Sequence, residues 1–252
     1  MPEGLEAEIY ARATRSIAGR RITSLEVDPS CGDPVGLRGL IGTEVDGVRR
    51  HGKHVLIDTG AGCLGLHFGM TGRVIVDDAA PIEALEYGAR REDARWHRLS
   101  IAFDTGSLVV SDPRRFSRYR LEPTLDLGVD LFAGPEALAE ALRANRQRSA
   151  TVKAVLLDQR VVAGLGNLCV DEVLFHAGIA PDRPMRDIDE PEALAEVIAD
   201  LMPRMLRAGG SHTGDTGPGR REGDGLCALD GTLLERSTVA GRTTVACPLH
   251  QR

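Results

Sequence analysis

Hydrophobic and polar positions follow two different patterns along the 252-residue chain. Residues 5–18 carry apolar side chains at helical spacing and predict one amphipathic helix. From Arg21 to about Leu121, short apolar runs are separated by Gly, Asp and Pro turns, which is typical of a sandwich or barrel. The predicted strands are 22–27, 44–49, 54–58, 64–67, 73–76, 99–103 and 107–111. The first half of the chain is therefore expected to be β-rich.

The pattern becomes helical after a linker at about 126–135. A helix is predicted at 135–144, with proline in its first turn, and others at 152–156 and 168–175. The longest apolar stripe consists of Leu194, Val197, Ile198, Leu201, Met202 and Met205, spaced as on one face of a helix. A glycine-rich connector at 209–225 and a short ribbon-like tail follow. We expect an α+β protein with more than one domain.

Composition excludes several classes of protein. The chain is 42% hydrophobic, and no stretch approaches the apolar length of a membrane span. Five cysteines, an odd number, argue against a disulfide framework, so we expect a cytoplasmic protein. The net charge of −6 excludes a chain that coats nucleic acid indiscriminately. Basic clusters at 49–54, 114–120 and 220–221 are nevertheless compatible with one basic face.

The first residues after Met1 carry candidate chemistry. Removal of Met1 would expose the secondary amine of Pro2 beside Glu3 and Glu6. A free α-amino group titrates near pH 8, at about 7.7–8.0, so part of it is nucleophilic at neutral pH. Attack on a sugar carbon would produce an iminium, and the carboxylates could move protons. The alternative is a proline that merely begins a surface segment.

Two further segments indicate nucleic acid and metal. Residues 158–167 join two predicted helices by a glycine-containing turn, with Asn167 at a predicted N-cap, where N–H groups could bind a phosphate. A plain helical hairpin is the alternative. In the tail, Cys227 and Asp230 are separated from Cys247 and His250 by sixteen residues, which matches zinc-ribbon spacing. A metal-free hairpin is the alternative for the tail.

Several segments together resemble the formamidopyrimidine-DNA glycosylase and endonuclease VIII family. They occur in the family's order and cover nearly the whole chain. The matching segments are 2–6, 50–54, 66–72, 111–116, 162–167, 177–183 and 239–242.

The resemblance implies a fold with three parts. These are an N-terminal β-sandwich with an N-terminal helix at 1–122, a helix-two-turn-helix DNA-binding domain at 135–212, and a connector with a zinc-ribbon-like β-hairpin at 213–252. Residues 123–134 are expected to be a linker.

The resemblance also implies a bifunctional DNA glycosylase and AP lyase of base excision repair. Pro2 would be the nucleophile, Glu3 and Glu6 catalytic carboxylates, and Lys53 a lysine beside the flipped nucleotide. Lys153, Asn167 and Arg242 would bind phosphates. Met70, Arg114 and Phe116 would fill the gap left by an extruded base, with Arg115 beside them. One structural zinc ion would be held by Cys227, Asp230, Cys247 and His250.

The expected partner is double-stranded DNA with a damaged base or an abasic site, bound by a monomer with no membrane contact. The short connector leaves the lesion open among oxidised purines, oxidised pyrimidines, abasic sites and crosslinked bases. Two alternatives also stay open: a damage-binding protein with little turnover, and a lyase acting mainly on abasic, bulky or crosslinked lesions.

Overall fold

The computed structural model describes residues 2–83, 85 and 92–252. The chain divides into two compact units, Met1–Leu125 and Asp126–Arg252. No helix among the described residues is long and apolar enough to cross a membrane.

The first unit is a β-sandwich preceded by helix α1, Gly4–Thr14. Its two four-stranded antiparallel sheets have the orders β1-β6-β7-β5 and β2-β3-β4-β8. A short helix, α2, spans Pro34–Leu37. The strands are β1 Ile22–Val27, β2 Val45–His51, β3 His54–Thr59, β4 Gly62–His67, β5 Arg73–Val76, β6 His97–Phe103, β7 Ser107–Ser111 and β8 Arg118–Leu121.

One apolar core fills the space between these sheets. Leu99 and Val110 from one sheet share it with Val55 and Leu66 from the other. Tyr10 of α1 packs edge-on against Phe68, with ring centroids 4.8 Å apart. Apolar side chains alternate with polar ones along the strands because successive residues face opposite sides of a sheet.

The second unit contains four helices and two pairs of strands. The helices are α3 Pro135–Ala144, α4 Val152–Leu157, α5 Asn167–Ala177 and α6 Pro191–Ala208. Strands β9, Val129–Asp130, and β10, Val162–Ala163, pair in parallel. Strands β11, Glu235–Val239, and β12, Arg242–Ala246, form the antiparallel tail hairpin. The predicted α6 stripe is buried at Leu194, Ile198, Leu201, Met202 and Met205.

The structure confirms the expected fold class and differs from the sequence prediction in detail. The predicted helix 5–18 ends at Thr14 and continues as a 3-10 turn, Arg15–Ile17. Strand β8 was not predicted, because polar arginines occupy two of its four positions. The segment expected to be a linker contains β9 and the buried Leu131. The domain bounds given above stay a prediction.

Candidate functional site

The start of α1 brings two buried carboxylates next to Pro2. Glu3 is the N-cap residue and is 1% exposed, while Glu6 is 3% exposed. The Glu3 backbone N–H donates to Glu6 Oε2 at 2.7 Å, and the two residues form a capping box. Glu6 therefore also caps the helix, a role that the sequence analysis did not assign to it. Met1 lies outside the described residues, so its removal stays a prediction.

Lys53 lies on a tight turn between β2 and β3. Gly52 has φ +57° and precedes Lys53, the arrangement of a type II′ hairpin turn. Arg50 fixes this turn: its guanidinium donates to the Gly52 carbonyl at 2.9 Å and to Glu8 Oε2 at 3.0 Å. Since Glu8 belongs to α1, buried Arg50 connects the nucleophile's helix to the lysine turn.

The basic cluster at 49–54 carries less charge than its sequence indicates. Arg49 and Arg50 are paired with Asp58 and Glu8. Burial lowers the pKa of His54 to about 4, and the neighbouring His67 and His51 act in the same direction. His54 is therefore neutral at physiological pH.

Asp112 organises the loop that carries Arg114 and Phe116. Its carboxylate is fully buried and accepts hydrogen bonds from the N–H groups of Arg114, Phe116 and Ser117, at 3.1, 2.7 and 2.8 Å. The Thr71 hydroxyl donates to the same carboxylate. Because Thr71 follows Met70, Asp112 links the loop of Met70 to the loop of Phe116.

These two loops approach each other closely. Gly69 has φ +57°, and a Cβ there would lie 2.5 Å from the Phe116 carbonyl carbon. Phe116 is 43% exposed and Met70 is half-buried, so neither is a core residue. The Arg114 guanidinium carbon lies 4.8 Å from the Phe116 ring centroid, a cation–π contact. The loops thus present an apolar tip with an arginine beside it.

Arg115 differs from its neighbour Arg114. Its Nε lies 3.2 Å from Asp28 Oδ2, and its backbone has φ +58°. The left-handed conformation turns the loop between Asp112 and Phe116. Arg115 is exposed, but its charge is already paired.

In the second unit, Asn167 and Arg242 lie on adjoining segments. Gly166 is the N-cap of α5, so Asn167 is the first helical residue rather than the cap that the sequence predicted. Its Nδ2 donates to the carbonyl of Thr243 at 2.8 Å. Exposed Arg242 immediately precedes Thr243 and begins β12 after the Ala240–Gly241 turn.

The structure contradicts the expected phosphate contact of Lys153. The side chain is 0% exposed, and its Nζ lies 2.5 Å from Asp171 Oδ1. It also donates to the Thr244 hydroxyl at 2.7 Å. A buried ammonium with these partners does not reach a DNA phosphate, so Lys153 is an internal residue.

Cys227, Asp230, Cys247 and His250 come together as the sequence predicted. Cys227 Sγ lies 3.4 Å from His250 Nδ1, Cys247 Sγ lies 3.3 Å from Asp230 Oδ2, and Asp230 Oδ2 lies 3.6 Å from His250 Nδ1. A tetrahedral ion with bonds of about 2.0–2.3 Å places its donors about 3.3–3.8 Å apart. The four residues therefore fit a metal ion.

His250 is held from outside this group. Its Nε2 lies 3.1 Å from the Phe175 carbonyl oxygen, and its ring packs edge-on against Phe175 at 4.6 Å. A hydrogen bond from Nε2–H to that carbonyl leaves Nδ1 unprotonated and directed at the other donors.

A second cluster holds the glycine-rich connector. Glu172 accepts hydrogen bonds from the N–H groups of Asp215 and Thr216 at 2.7 and 2.8 Å, and its carboxylate lies 3.0 Å from His176 Nε2. Burial raises the pKa of Glu172, but these hydrogen bonds outweigh it and lower the pKa below its ordinary value. The hydrogen bond to Glu172 raises the pKa of His176. The geometry is that of a buried ion pair.

Comparison with known proteins agrees with this arrangement. The family model for the formamidopyrimidine-DNA glycosylase N-terminal domain matches residues 1–119, and that for the H2TH domain matches residues 127–216. The formamidopyrimidine-DNA glycosylase of Stenotrophomonas maltophilia is 33% identical, with 100% of both chains covered. The chain belongs to the formamidopyrimidine-DNA glycosylase family.

Solved structures of the family show the same fold. A complex of Lactococcus lactis Fpg with DNA containing an abasic site matches 99% of both chains, with 28% identity and a TM-score of 0.80. A complex of the same protein with DNA containing an oxidised pyrimidine matches 100% of both chains, with 27% identity and a TM-score of 0.81.

Sequence reasoning missed the residues that hold the functional loops. Arg50 was counted only as part of a basic cluster, and Asp112 only as part of a motif. An Asp-Pro pair does favour the start of a turn, so Asp112-Pro113 carried a usable signal. The pairing of Lys153 with Asp171 carried none, because it joins two different helices.

Proposed function

We propose that this protein is a DNA glycosylase of base excision repair that also cleaves the strand at abasic sites. Its substrate is double-stranded DNA with a damaged base or an abasic site. The observation that carries the proposal is the pair of buried carboxylates, Glu3 and Glu6, at the helix start directly after Pro2. Family membership supports the same conclusion.

The reaction begins at the Pro2 nitrogen, once Met1 has been removed. This nitrogen forms a bond to C1′ of the sugar, the bond from C1′ to the base breaks, and the base leaves with a proton. Glu3 acts as the acid and base that opens the sugar ring through O4′, and Glu6 holds the backbone of Glu3 in place. The product is a C1′ iminium.

Strand cleavage follows from the iminium. The positive nitrogen draws electrons from C1′, so a proton is lost from C2′ and the bond from C3′ to its phosphate oxygen breaks. A second elimination releases the phosphate at C5′. Hydrolysis of the iminium then returns the Pro2 amine.

Other residues hold the DNA. Lys53, Asn167 and Arg242 bind phosphates, since they combine a cationic or amide donor with a turn or helix start. Met70 and Phe116 enter the stack where a base has left, and Arg114 pairs with the unpaired base opposite. Base extrusion costs a few kcal/mol, and an apolar plug offsets part of it. Arg115 orients this loop through Asp28.

The metal is zinc, one ion per chain, and its role is structural. Bound zinc would cross-link the two ends of the tail hairpin through Cys227, Asp230, Cys247 and His250. Elemental analysis of purified protein should give about one zinc per chain. Folded, active protein without zinc would contradict this assignment. We further propose a monomer that acts on chromosomal DNA in the cytoplasm.

Borohydride trapping tests the reaction. A duplex with an abasic site should give a covalent protein–DNA adduct with the wild type and none with Pro2→Gly. Glu3→Gln should still form an adduct on abasic DNA but should lose base excision. Mass spectrometry of the active protein should show that Met1 is absent; full activity with Met1 retained would refute the mechanism.

The same experiment separates the alternatives. Tight binding of damaged DNA without any adduct would indicate a damage-binding protein. Cleavage of abasic DNA alone, across a panel of duplexes with one oxidised base each, would indicate a lyase. The panel should include oxidised purines and pyrimidines, because Lactococcus lactis Fpg forms complexes with DNA containing Fapy-dG and with DNA containing an oxidised pyrimidine.

A further inference from the structure

A buried network of charges lies beneath Asn167 and Arg242. Asp171 of α5 is 0% exposed and is paired on both oxygens: Oδ1 lies 2.5 Å from Lys153 Nζ, and Oδ2 lies 2.8 Å from Arg221 Nη2. The Lys153 side chain is 0% exposed and that of Arg221 is 9% exposed. Two cations therefore share one buried carboxylate.

This arrangement is not an economical way to stabilise a fold. Burying charges has a large desolvation cost, and a single carboxylate leaves one positive charge in excess. Lys153 also stands in the first turn of α4, where the helix dipole disfavours a cation. Local rules of this kind are broken chiefly at functional sites.

All of the network's contacts outside these three residues converge on β12 and the connector. The Thr243 carbonyl accepts hydrogen bonds from Arg221 at 3.0 Å and from Lys153 at 3.3 Å, in addition to the one from Asn167. The Thr244 hydroxyl accepts from Lys153, and the next N–H of the strand donates to Asp171 at 3.3 Å. Arg242 is the residue directly before these anchored positions.

We propose that Lys153, Asp171 and Arg221 form a positioning network that holds Arg242 beside Asn167 as a two-residue phosphate clamp. The network acts through the backbone of β12, which it ties to the first turns of α5. Its excess positive charge favours an anion at the surface above it. This inference rests on the proposed function, because it assumes that Asn167 and Arg242 bind DNA phosphates.

Lys153→Met is the most direct test. Methionine fills a similar volume, and its removal of one cation leaves Asp171 paired with Arg221, so no uncompensated charge is created. Binding is measured by fluorescence anisotropy on a duplex with a tetrahydrofuran abasic analogue, over a series of salt concentrations. We expect Kd to rise about tenfold, as for the loss of a hydrogen bond to a charged group. The salt slope should fall by about 0.9, one phosphate contact.

A double-mutant cycle separates positioning from general destabilisation. If Lys153 acts through Arg242, the double variant Lys153→Met/Arg242→Ala should bind no more weakly than Arg242→Ala alone. Arg236→Ala is the matched control, because Arg236 is exposed on the neighbouring strand β11 and contacts no member of the network in the residues described. Its effect should simply add to that of Lys153→Met.

Thr244→Val keeps the test open should Lys153→Met fail to fold. It removes one hydroxyl acceptor and retains every charge, and it should change the salt slope in the same direction by a smaller amount. Additive effects of the Lys153 or Thr244 variant with Arg242→Ala would overturn the positioning network. Unchanged binding in Arg242→Ala and Asn167→Ala would instead overturn the proposed phosphate contacts.

Discussion

The loop that carries Arg114 and Phe116 depends on a single carboxylate, so Asp112→Asn should disturb it strongly. Each Asp112 oxygen accepts two hydrogen bonds: Oδ1 from the Thr71 hydroxyl and the Arg114 N–H, Oδ2 from the N–H groups of Phe116 and Ser117. Asparagine replaces one oxygen by an amide nitrogen that donates rather than accepts. Two hydrogen bonds are lost in either orientation of the amide.

The magnitude follows from the burial of the site. A hydrogen bond to a charged group contributes about 1.5–3 kcal/mol, so the loss of two should lower the free energy of unfolding by about 3–6 kcal/mol. The total free energy of unfolding of a domain is about 5–15 kcal/mol, so the variant should still fold at low temperature. Asp46→Asn is the matched control, since Asp46 is exposed on β2, and it should change stability by less than about 0.5 kcal/mol.

Two measurements check this prediction. Urea denaturation gives the change in the free energy of unfolding. Fluorescence anisotropy gives the ratio of affinities for an abasic-analogue duplex and its undamaged counterpart, which should fall because Met70, Arg114 and Phe116 lose their fixed arrangement. A variant as stable as Asp46→Asn would refute the assigned role of the carboxylate. Lost stability with an unchanged affinity ratio would refute the link between this loop and damaged DNA.

Three further predictions concern the lysine turn and the connector. Lys53→Ala should weaken binding to all duplexes alike and reduce the salt slope by about 0.9, and a changed base preference would contradict its phosphate role. Arg50→Gln removes the link between Glu8 and the turn, and should lower the rate of adduct trapping more than it raises Kd. His176→Gln should flatten the pH dependence of the melting temperature. Glu172 raises the pKa of His176, so this stabilisation is complete below about pH 6.5 and is lost as the pH rises through the raised pKa.

Local patterns predicted much of this fold. The seven strands expected from alternation are all present, because a half-buried strand must repeat every two residues. The α6 stripe was visible for the corresponding reason in a helix. The metal-binding group was also predictable, since each pair of ligands lies within a few residues of sequence and a hairpin joins the pairs.

The supporting contacts were less accessible. Arg50 and Glu8 are 42 positions apart, and Lys153 and Asp171 are 18 apart, so no periodicity connects them. Lys153 was expected at the surface because lysine is rarely buried without a partner. Only the packing of α4 against α5 supplies that partner, and a single sequence does not reveal which helices touch.

The parts missed have a common physical purpose. Lys53, Phe116 and Arg242 each occupy a turn, loop or strand end, where a backbone is free to move and a side chain can reach DNA. Each such segment is tied down by a charged residue behind it. Arg50 holds the lysine turn, Asp112 holds the Phe116 loop and Asp171 holds the strand of Arg242.

Apolar packing alone would stabilise these segments less specifically. A hydrophobic contact is non-directional and tolerates small shifts, whereas a buried carboxylate that accepts several N–H groups fixes both the distance and the orientation of the backbone. The cost is the desolvation of the charge, which a protein selected for stability alone would avoid. Replacing the three charges by apolar side chains of similar size should therefore impair DNA processing more than it lowers thermal stability.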